Sequence, residues 1–345
     1  MTAPTARAAG NFLADVAERL LPSGDTAAIR AILNTACGGR LDARLPEGRR
    51  TSGLTSTGLP FEVSVSGGGG RYSPTVRYVT ESATVLPTFA DRVTAQLATL
   101  DELLALLPGA QDTTSELMHS FVAALYPDPT KVPAHRRLVT WTGLVHHADA
   151  PHHPARIKVY GSPWTVPGAF GRLRHQWPDF TALITLPTDD EFFRYAGVAI
   201  EADADGGITR KVYSTSRYRD VAVPMKLVRH FGEPAWEMLS ELVGAGIDAA
   251  ALHRFNFFVC SSRASGDPSL SLSLSPGRDG PELTELVRSL ARRHHGGTEA
   301  VDALEQAAIA GGAQWRYSVV GLGFSAERGV DKLNVYGAPT WSNLQ

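Results

Sequence analysis

Three segments of the chain alternate polar with apolar residues and place lysine and tyrosine on the same face. Residues 155–163 read ARIKVYGSP, where Lys158 and Tyr160 share one face. Residues 209–214 read TRKVYS and repeat the Lys-x-Tyr spacing, and residues 332–337 read KLNVYG. Strict alternation is typical of a strand with two unlike faces. A solvated outer strand would also alternate, but three copies of the same cation and phenol favour one wall repeated around a centre.

The remaining chain predicts pairs of strands separated by helices. The predicted strand pairs are 61–66 with 76–81, 138–145 with 156–160, 193–200 with 209–215, 254–260 with 270–275, and 315–324 with 331–336. The predicted helical segments are 12–36, 87–125, 166–177, 179–186, 221–243, 281–293 and 298–310. Each strand pair has a short connection and is therefore antiparallel.

Five such hairpins favour an α+β fold in which a ten-stranded antiparallel barrel is surrounded by helices, in five helix-helix-strand-strand repeats. Closing the barrel removes exposed sheet edges. In residues 270–275 leucine alternates with serine. If helices cover the outside, the apolar faces point outward and the polar faces line a lumen wide enough for solvent and a ligand. The alternative is an open sheet with one solvated polar face.

Composition limits the classes of partner and compartment. The chain has 345 residues and a formal net charge of −2, so no general attraction to nucleic acid or to an anionic membrane is expected. The two cysteines, Cys37 and Cys260, lack metal-ligand spacing and fit a reducing cytoplasm. No segment has the length and apolarity of a membrane span. We expect one cytoplasmic domain over residues 1–345, with N-terminal helices and a loop up to residue 57; a monomer and a homodimer are equally open.

The predicted lumen is strongly basic, and its chemistry suggests an anionic ligand. Its cations are Arg77, Arg156, Lys158, Lys211 and Lys332. Arginine and lysine suit phosphate oxygens, and buried like charges need a counter-ion. The tyrosines of the same faces are Tyr160, Tyr213 and Tyr336. Their hydroxyls can donate to such oxygens and their rings can stabilise a carbocation. A diphosphate beside a developing carbocation is an allylic isoprenoid ester.

Metal-ligand patterns that usually accompany such an ester are lacking in the sequence. There is no Asp-Asp-x-x-Asp cluster, and the nearest acidic run, residues 189–191, precedes a strand without helical spacing. The sequence therefore predicts that protein cations, with no Mg²⁺ or other cofactor, neutralise the diphosphate.

An ordered set of segments gives the chain a family resemblance. Residues 59–64 read LPFEVS, residues 76–81 read VRYVTE, and the Lys-x-Tyr strands follow. From about residue 58 to the C-terminus, the chain resembles the aromatic prenyltransferases of the dimethylallyltryptophan synthase type, which have the α-β-β-α (ABBA) barrel fold. The resemblance implies that Glu62 accepts a hydrogen bond from an indole N–H and that Arg77 binds the diphosphate.

The same resemblance assigns the pairs on the fourth and sixth strands and the tyrosine of the last strand. It implies that they bind the donor diphosphate and shield the allyl cation; they are Lys158 with Tyr160, Lys211 with Tyr213, and Tyr336. Two departures stand out. First, Thr209 occupies the arginine position of an Arg-x-Lys-x-Tyr pattern, and Arg210 lies one position later, which turns it toward the outer face. Second, the eighth strand is rich in serine. Lys332 is expected to compensate in part, and Arg156 is a further diphosphate candidate at the rim.

The proton-accepting base and the acceptor pocket are less constrained by the sequence. Histidines flank the fourth and fifth strands and could act as a base, although surface histidines are as common; they are His146, His147, His152 and His153. Glu62 is an equal candidate. For the acceptor pocket we predict Trp141, Trp315 and Tyr317, with core packing as the alternative.

The resemblance implies metal-independent transfer of a dimethylallyl or longer isoprenyl group from its diphosphate to an indole or tryptophan-type acceptor. The alternatives are prenylation of a phenolic, tyrosine or cyclic-dipeptide acceptor, cyclisation of an isoprenoid diphosphate, and non-catalytic carriage of a phosphorylated ligand.

Overall fold

The structure is a computed structural model. It describes residues 5–21, 26–43, 52–55, 57–82, 85–110, 112–148, 152–163, 166–187, 190–217, 219–264, 269–277 and 280–342.

Ten strands form a closed antiparallel barrel, and one two-residue strand extends it. The strands are β1 (Phe61–Gly68), β2 (Arg71–Tyr72), β3 (Thr75–Thr80), β4 (Trp141–His147), β5 (Arg156–Gly161), β6 (Phe193–Asp203), β7 (Ile208–Ser216), β8 (Asn256–Arg263), β9 (Ser269–Ser275), β10 (Gln314–Ser325) and β11 (Gly329–Thr340). Neighbours in the barrel follow chain order from β3 to β11, with β1 beside β3, and β11 pairs with β1 to close the ring. The short β2 pairs only with β1, at Gly67 and Gly68.

In the described ranges, two helices precede β1 and two more precede each later strand pair. They are α1 (Thr5–Leu20), α2 (Thr26–Ala36), α3 (Phe89–Leu104), α4 (Asp112–Leu125), α5 (Ala169–Gln176), α6 (Asp179–Ala182), α7 (Val223–Phe231), α8 (Glu233–Gly244), α9 (Thr284–His294) and α10 (Glu299–Ala310). Helix α3 begins at a capping box, in which Thr88 accepts from the Asp91 backbone N–H and Asp91 accepts from that of Thr88. In the described part of the chain, no helix is long and apolar enough to cross a membrane.

The apolar core lies between the barrel and the helices, because the outward strand faces carry the aliphatic residues. Leu333 and Val335 of β11 are fully buried, and so is Leu274 of β9. On β11 the polar Lys332, Asn334 and Tyr336 alternate with them and face the lumen. Burial of the aliphatic faces drives the closure of the sheet and fixes its register, since a slip by one residue would exchange the two faces.

The N-terminal helix belongs to this outer core. The ring of Phe12 stacks on Trp315 of β10 at 5.7 Å between centroids, and it also contacts Trp341 and Phe61. Because Phe61 begins β1 and Trp341 follows β11, α1 spans the place where the first and last strands meet.

Some predicted boundaries are wrong. The segment 221–243 is two helices, since Gly232 adopts a φ of 63° and Pro234 lies in the first turn of the next helix, which favours a break over a continuous helix. Residues 138–140 precede β4 and do not belong to it. Residues 22–25, inside the predicted helical segment 12–36, and residues 266–268, between the predicted strands 254–260 and 270–275, lie outside the described residues.

Candidate active site in the barrel lumen

The lumen wall is built by the inward faces of β3, β5, β7 and β11. Lys158 lies opposite Glu201 of β6 in the strand register, and Tyr160 lies opposite Ala199. Lys211 of β7 also pairs with Ala199, one position along the same face. The alternation that predicted these strands therefore brings the two Lys-x-Tyr pairs to either side of Ala199 and Glu201 on the inward face of β6.

Glu201 is the centre of the cationic cluster. One of its oxygens, Oε2, lies 2.7 Å from Lys158 Nζ and 3.2 Å from Lys211 Nζ, and Oε1 lies 3.8 Å from an Arg156 nitrogen. Burial opposes its ionisation, but the nearby cations outweigh burial and hold the pKa of Glu201 below its usual range. Burial and the charge of Lys158 lower the pKa of Lys211, and Glu201 acts in the opposite direction. This carboxylate is therefore ionised and partly compensates the two lysines.

Glu201 was not among the residues predicted from the sequence to face the lumen. The predicted strand ended at Ile200, one residue before it, although the alternation continues through buried Ala202 to Asp203. Extending the period-two pattern by three residues would have placed Glu201 on the lumen face.

Arg77 and Tyr336 complete the same cavity from the other side. The cavity is lined by Ser64, Arg77, Arg156, Lys158, Tyr160, Glu201 and Tyr336, among others. An Arg77 nitrogen donates to the side-chain oxygen of Asn334 at 2.8 Å, an interaction across the β1–β3–β11 junction that the sequence did not reveal. Arg77 is thus held by a neutral acceptor, which leaves its charge available to an anion.

Three tyrosines form the aromatic part of the wall. The rings of Tyr160 and Tyr213 are 5.8 Å apart, and Lys158 Nζ lies 5.2 Å from the centre of the Tyr160 ring. Burial raises the pKa of Tyr160 to about 12 and raises those of Tyr213 and Tyr336 above the usual value. All three remain neutral phenols near pH 7, so they can donate hydrogen bonds to an anion and present ring faces to a cation.

Lys332 and Arg156 lie at more accessible positions of the wall. Lys332 keeps access to solvent, while the partial burial of its ammonium group in the wall and the charges of Arg77, Lys211 and Lys158 lower its pKa to about 8. The Arg156 side chain is 49% exposed, in agreement with the rim position expected from the sequence. The structure therefore brings all five predicted cations around the lumen, with Arg210 outside it, 3.4 Å from Asp179.

A second, separate carboxyl group faces the lumen on β1. Glu62 accepts a short hydrogen bond from Ser318, which lies at a register shift of β10 between Tyr317 and Val319. Burial raises the pKa of Glu62 to about 7, and the Ser318 hydroxyl opposes this rise. A carboxyl group with such a pKa exchanges its proton near neutral pH and suits either hydrogen-bond acceptance or proton transfer. The sequence offered no signal for the bulge that brings Ser318 to it.

Trp141 lies on the lumen side of β4, opposite Tyr160 in the register. Its indole nitrogen donates to Glu81 at 3.3 Å, and Ser52 donates to the same carboxylate oxygen at 2.7 Å. The role of Trp141 as an acceptor-pocket residue stays a prediction. Glu81 is a further buried carboxyl group there, and burial raises its pKa.

Two predicted acceptor-pocket residues do not lie in the lumen. Trp315 packs on Phe12 of α1, and the Tyr317 hydroxyl donates to Glu305 of α10 at 2.6 Å. Both belong to the outer core, so their predicted placement is wrong. The bulge after Tyr317 inverts the faces of β10, and the alternation on the far side of the bulge cannot be read from the sequence before it.

The histidine candidates are dispersed. His146 is fully buried on the outer face of β4, where its Nε2 lies 3.0 Å from the Tyr78 hydroxyl, so it does not reach the lumen. His152 and His153 contact each other in the β4–β5 connection. Of the acidic run, Asp190 binds His230 at 3.0 Å and Asp189 lies outside the described residues. No grouping of three or more potential metal ligands occurs within the described ranges.

Comparisons with known proteins identify the fold. No family model matches the chain, and no curated protein matches it. Among solved structures it is similar to 5-dimethylallyltryptophan synthase from Streptomyces coelicolor in complex with DMASPP and Trp (17% identity, 98% of this chain and 96% of that chain, TM-score 0.72). It is also similar to 6-dimethylallyltryptophan synthase from Micromonospora olivasterospora in complex with DMASPP and Trp (18% identity, 98% of this chain and 98% of that chain, TM-score 0.72). A third similar structure is that of the prenyltransferase PriB with product diphosphate (17% identity, 99% of this chain and 100% of that chain, TM-score 0.71). The chain therefore has the barrel fold of these prenyltransferases.

Proposed function

We propose that this protein is a metal-independent aromatic prenyltransferase that transfers a dimethylallyl group to an indole or tryptophan-type acceptor. The observation that carries the proposal is the single cavity that joins Arg77, Lys158, Tyr160 and Tyr336, with Lys211 bound to the same carboxylate as Lys158. Such a wall combines phosphate-binding cations with rings that suit an allyl cation.

The proposed reaction begins when the donor diphosphate binds the cationic wall. The allylic C–O bond breaks, its electron pair leaves with the diphosphate, and Arg77, Lys158 and Lys211 stabilise the charge that develops on the leaving group. The tyrosine rings lie against the allyl cation and exclude water from it. In this proposal the protein cations take the part that Mg²⁺ plays in other diphosphate sites.

Glu62 is proposed to orient the acceptor. The ionised carboxylate accepts the indole N–H in place of the Ser318 hydroxyl, and the electron-rich ring attacks the allyl cation to form a carbon–carbon bond. A base then removes the proton of the arenium ion, which restores aromaticity. Glu62, with a pKa of about 7, is the proposed base among the described residues. Support for an indole comes from the similar fold of proteins that hold DMASPP and Trp.

The test is a mass-spectrometric assay with dimethylallyl diphosphate, excess EDTA and a pool of aromatic acceptors dominated by indoles. We expect an acceptor mass gain of one dimethylallyl unit, abolished by Lys158→Met and strongly reduced by Glu62→Gln. Arg210→Met, which changes the outward neighbour of Lys211, is the matched control and should retain activity. Consumption of donor without any aromatic product, or product only when Mg²⁺ is added, would contradict the proposal.

A further inference from the structure

Glu201 places a negative charge inside a site that otherwise suits an anion. Both lysine ammonium groups contact one oxygen of this carboxylate, at 2.7 Å and 3.2 Å. Lys158 and Glu201 are both less than one-tenth exposed, so the contact is shielded from water and only weakly screened. A diphosphate oxygen that binds both ammonium groups therefore competes with this carboxylate oxygen for their N–H donors.

The charges around the cavity make the competition unequal. Arg77, Lys158, Lys211 and Lys332 surround the ionised carboxylate of Glu201, and Arg156 adds a further cation at the rim. An incoming diphosphate therefore meets an excess of positive charge, although Glu201 still repels it at short range. The same carboxylate stabilises the charged form of Lys211, whose pKa burial lowers.

We infer that Glu201 is a built-in counter-ion of the donor site: it holds Lys158 and Lys211 in place when the site is empty and gives them up to the diphosphate. This positioning role rests on the proposed donor site. It has two opposite consequences. Glu201 stabilises the folded protein without ligand, because it prevents the burial of unpaired ammonium groups. It also weakens the binding of diphosphate and so favours release of the product.

The test compares wild type with Glu201→Gln, which keeps the size of the side chain and removes its charge. Isothermal titration calorimetry with inorganic diphosphate in EDTA measures affinity, and thermal unfolding without ligand measures stability. We expect the variant to unfold at a lower temperature but to bind diphosphate about tenfold more tightly, since a repulsive charge next to the anion is gone. Asp179→Asn, which removes the outer partner of Arg210, is the matched control and should leave the affinity unchanged.

The opposite directions of the two readouts separate this role from a merely structural one. Equal or weaker diphosphate binding by Glu201→Gln would overturn the inference while leaving the donor site intact. An absence of diphosphate binding by wild type would overturn the donor site itself. If Glu201→Gln does not fold, the comparison is made between Lys158→Met and the double variant Lys158→Met/Glu201→Gln. The double variant carries no more unpaired positive charge than wild type, and it should bind diphosphate more tightly than the single one.

Discussion

The two inward carboxyl groups differ because their neighbours differ. Glu201 lies between Lys158 and Lys211 and is ionised, whereas Glu62 lies beside the neutral Ser318 hydroxyl and has a pKa raised by burial from 4.5 to about 7. The pKa of the same residue type is thus shifted in opposite directions at two positions of one barrel. Separation of the pKa values of two carboxyl groups by their environments is a common basis for dividing roles in an active site.

The raised pKa of Glu62 predicts a pH dependence of prenylation. If the ionised carboxylate accepts the indole N–H, kcat/KM for the acceptor should rise as pH increases through about 7. Glu62→Gln should lower kcat/KM by about 100-fold and abolish the rise. Initial rates at subsaturating acceptor, measured across this range, provide the check. A wild-type profile that is flat between about pH 6 and pH 8 would contradict the role.

Stability supplies an independent control at the same residue. The folded state holds the Glu62 proton more tightly than the unfolded chain does. The contribution of this protonation to the free energy of unfolding is therefore complete below the unfolded pKa of about 4.5 and disappears as pH rises through about 7. Glu62→Gln removes the cost of burying the charge. Urea unfolding should therefore show the variant gaining stability relative to wild type between acidic pH and pH values above 7.

At the scale of elements, the inner and outer faces of a strand make different contacts. On β7, Lys211 contacts Glu201 inside the barrel, and the adjacent Arg210 contacts Asp179 of α6 outside it. On β10, the bulge between Tyr317 and Val319 interrupts this rule and brings Ser318 to Glu62. A regular strand can place one cation on its inner face and the next on its outer face. A bulge can add an inward side chain at a position where regular alternation would have directed it outward.

We therefore expect substitutions of the two neighbouring cations of β7 to affect diphosphate binding differently. Lys211→Met should weaken diphosphate binding by about 10- to 100-fold, since it removes a charged hydrogen-bond donor from the wall. Arg210→Met should change it by less than about twofold, because Arg210 lies on the outer face of the barrel beside Asp179. Calorimetric titration with diphosphate measures both variants. Similar losses in the two would mean that the wall is not the anion site.

At the scale of the whole molecule, α1 helps to hold the barrel closed. Phe12 contacts Phe61 of β1, Trp315 of β10 and Trp341, which follows β11. The pairing of β1 with β11 leaves no free edge between them. Stability of the ring therefore depends on packing outside the lumen, at a distance from the proposed chemistry.

Removal of the Phe12 ring tests this separation. Phe12→Ala should lower the free energy of unfolding by about 3–5 kcal/mol, the usual effect of deleting a buried aromatic side chain. Below the unfolding transition, KM for the acceptor should stay unchanged, because Trp315 and Tyr317 face the helices and not the lumen. Urea denaturation and steady-state kinetics measure the two effects. A changed KM with unaltered stability would return Trp315 to the acceptor pocket.

Much of the fold could be predicted from residue order. Alternation in β5, β7 and β11 identified the inward lysines and tyrosines, and the short connections identified the antiparallel pairs. The helix boundary at Gly232 and the extra strand β2 were not predicted. A break at a single glycine and a strand of two residues are both too short to change the periodic pattern of apolar residues. Glu201 was missed only because the predicted strand ended too early.

By itself, the sequence determined which face of each strand is polar, since side chains alternate with a period of two whatever surrounds the strand. Only the tertiary structure decided which polar residues meet. Lys158, Glu201 and Lys211 lie on three strands, and Ser318 and Glu62 lie 256 residues apart. Their contacts depend on the register and closure of the barrel and on a bulge in β10. Distances and pKa shifts of this kind arise from neighbours that are remote in the chain, and no local pattern of residues encodes them.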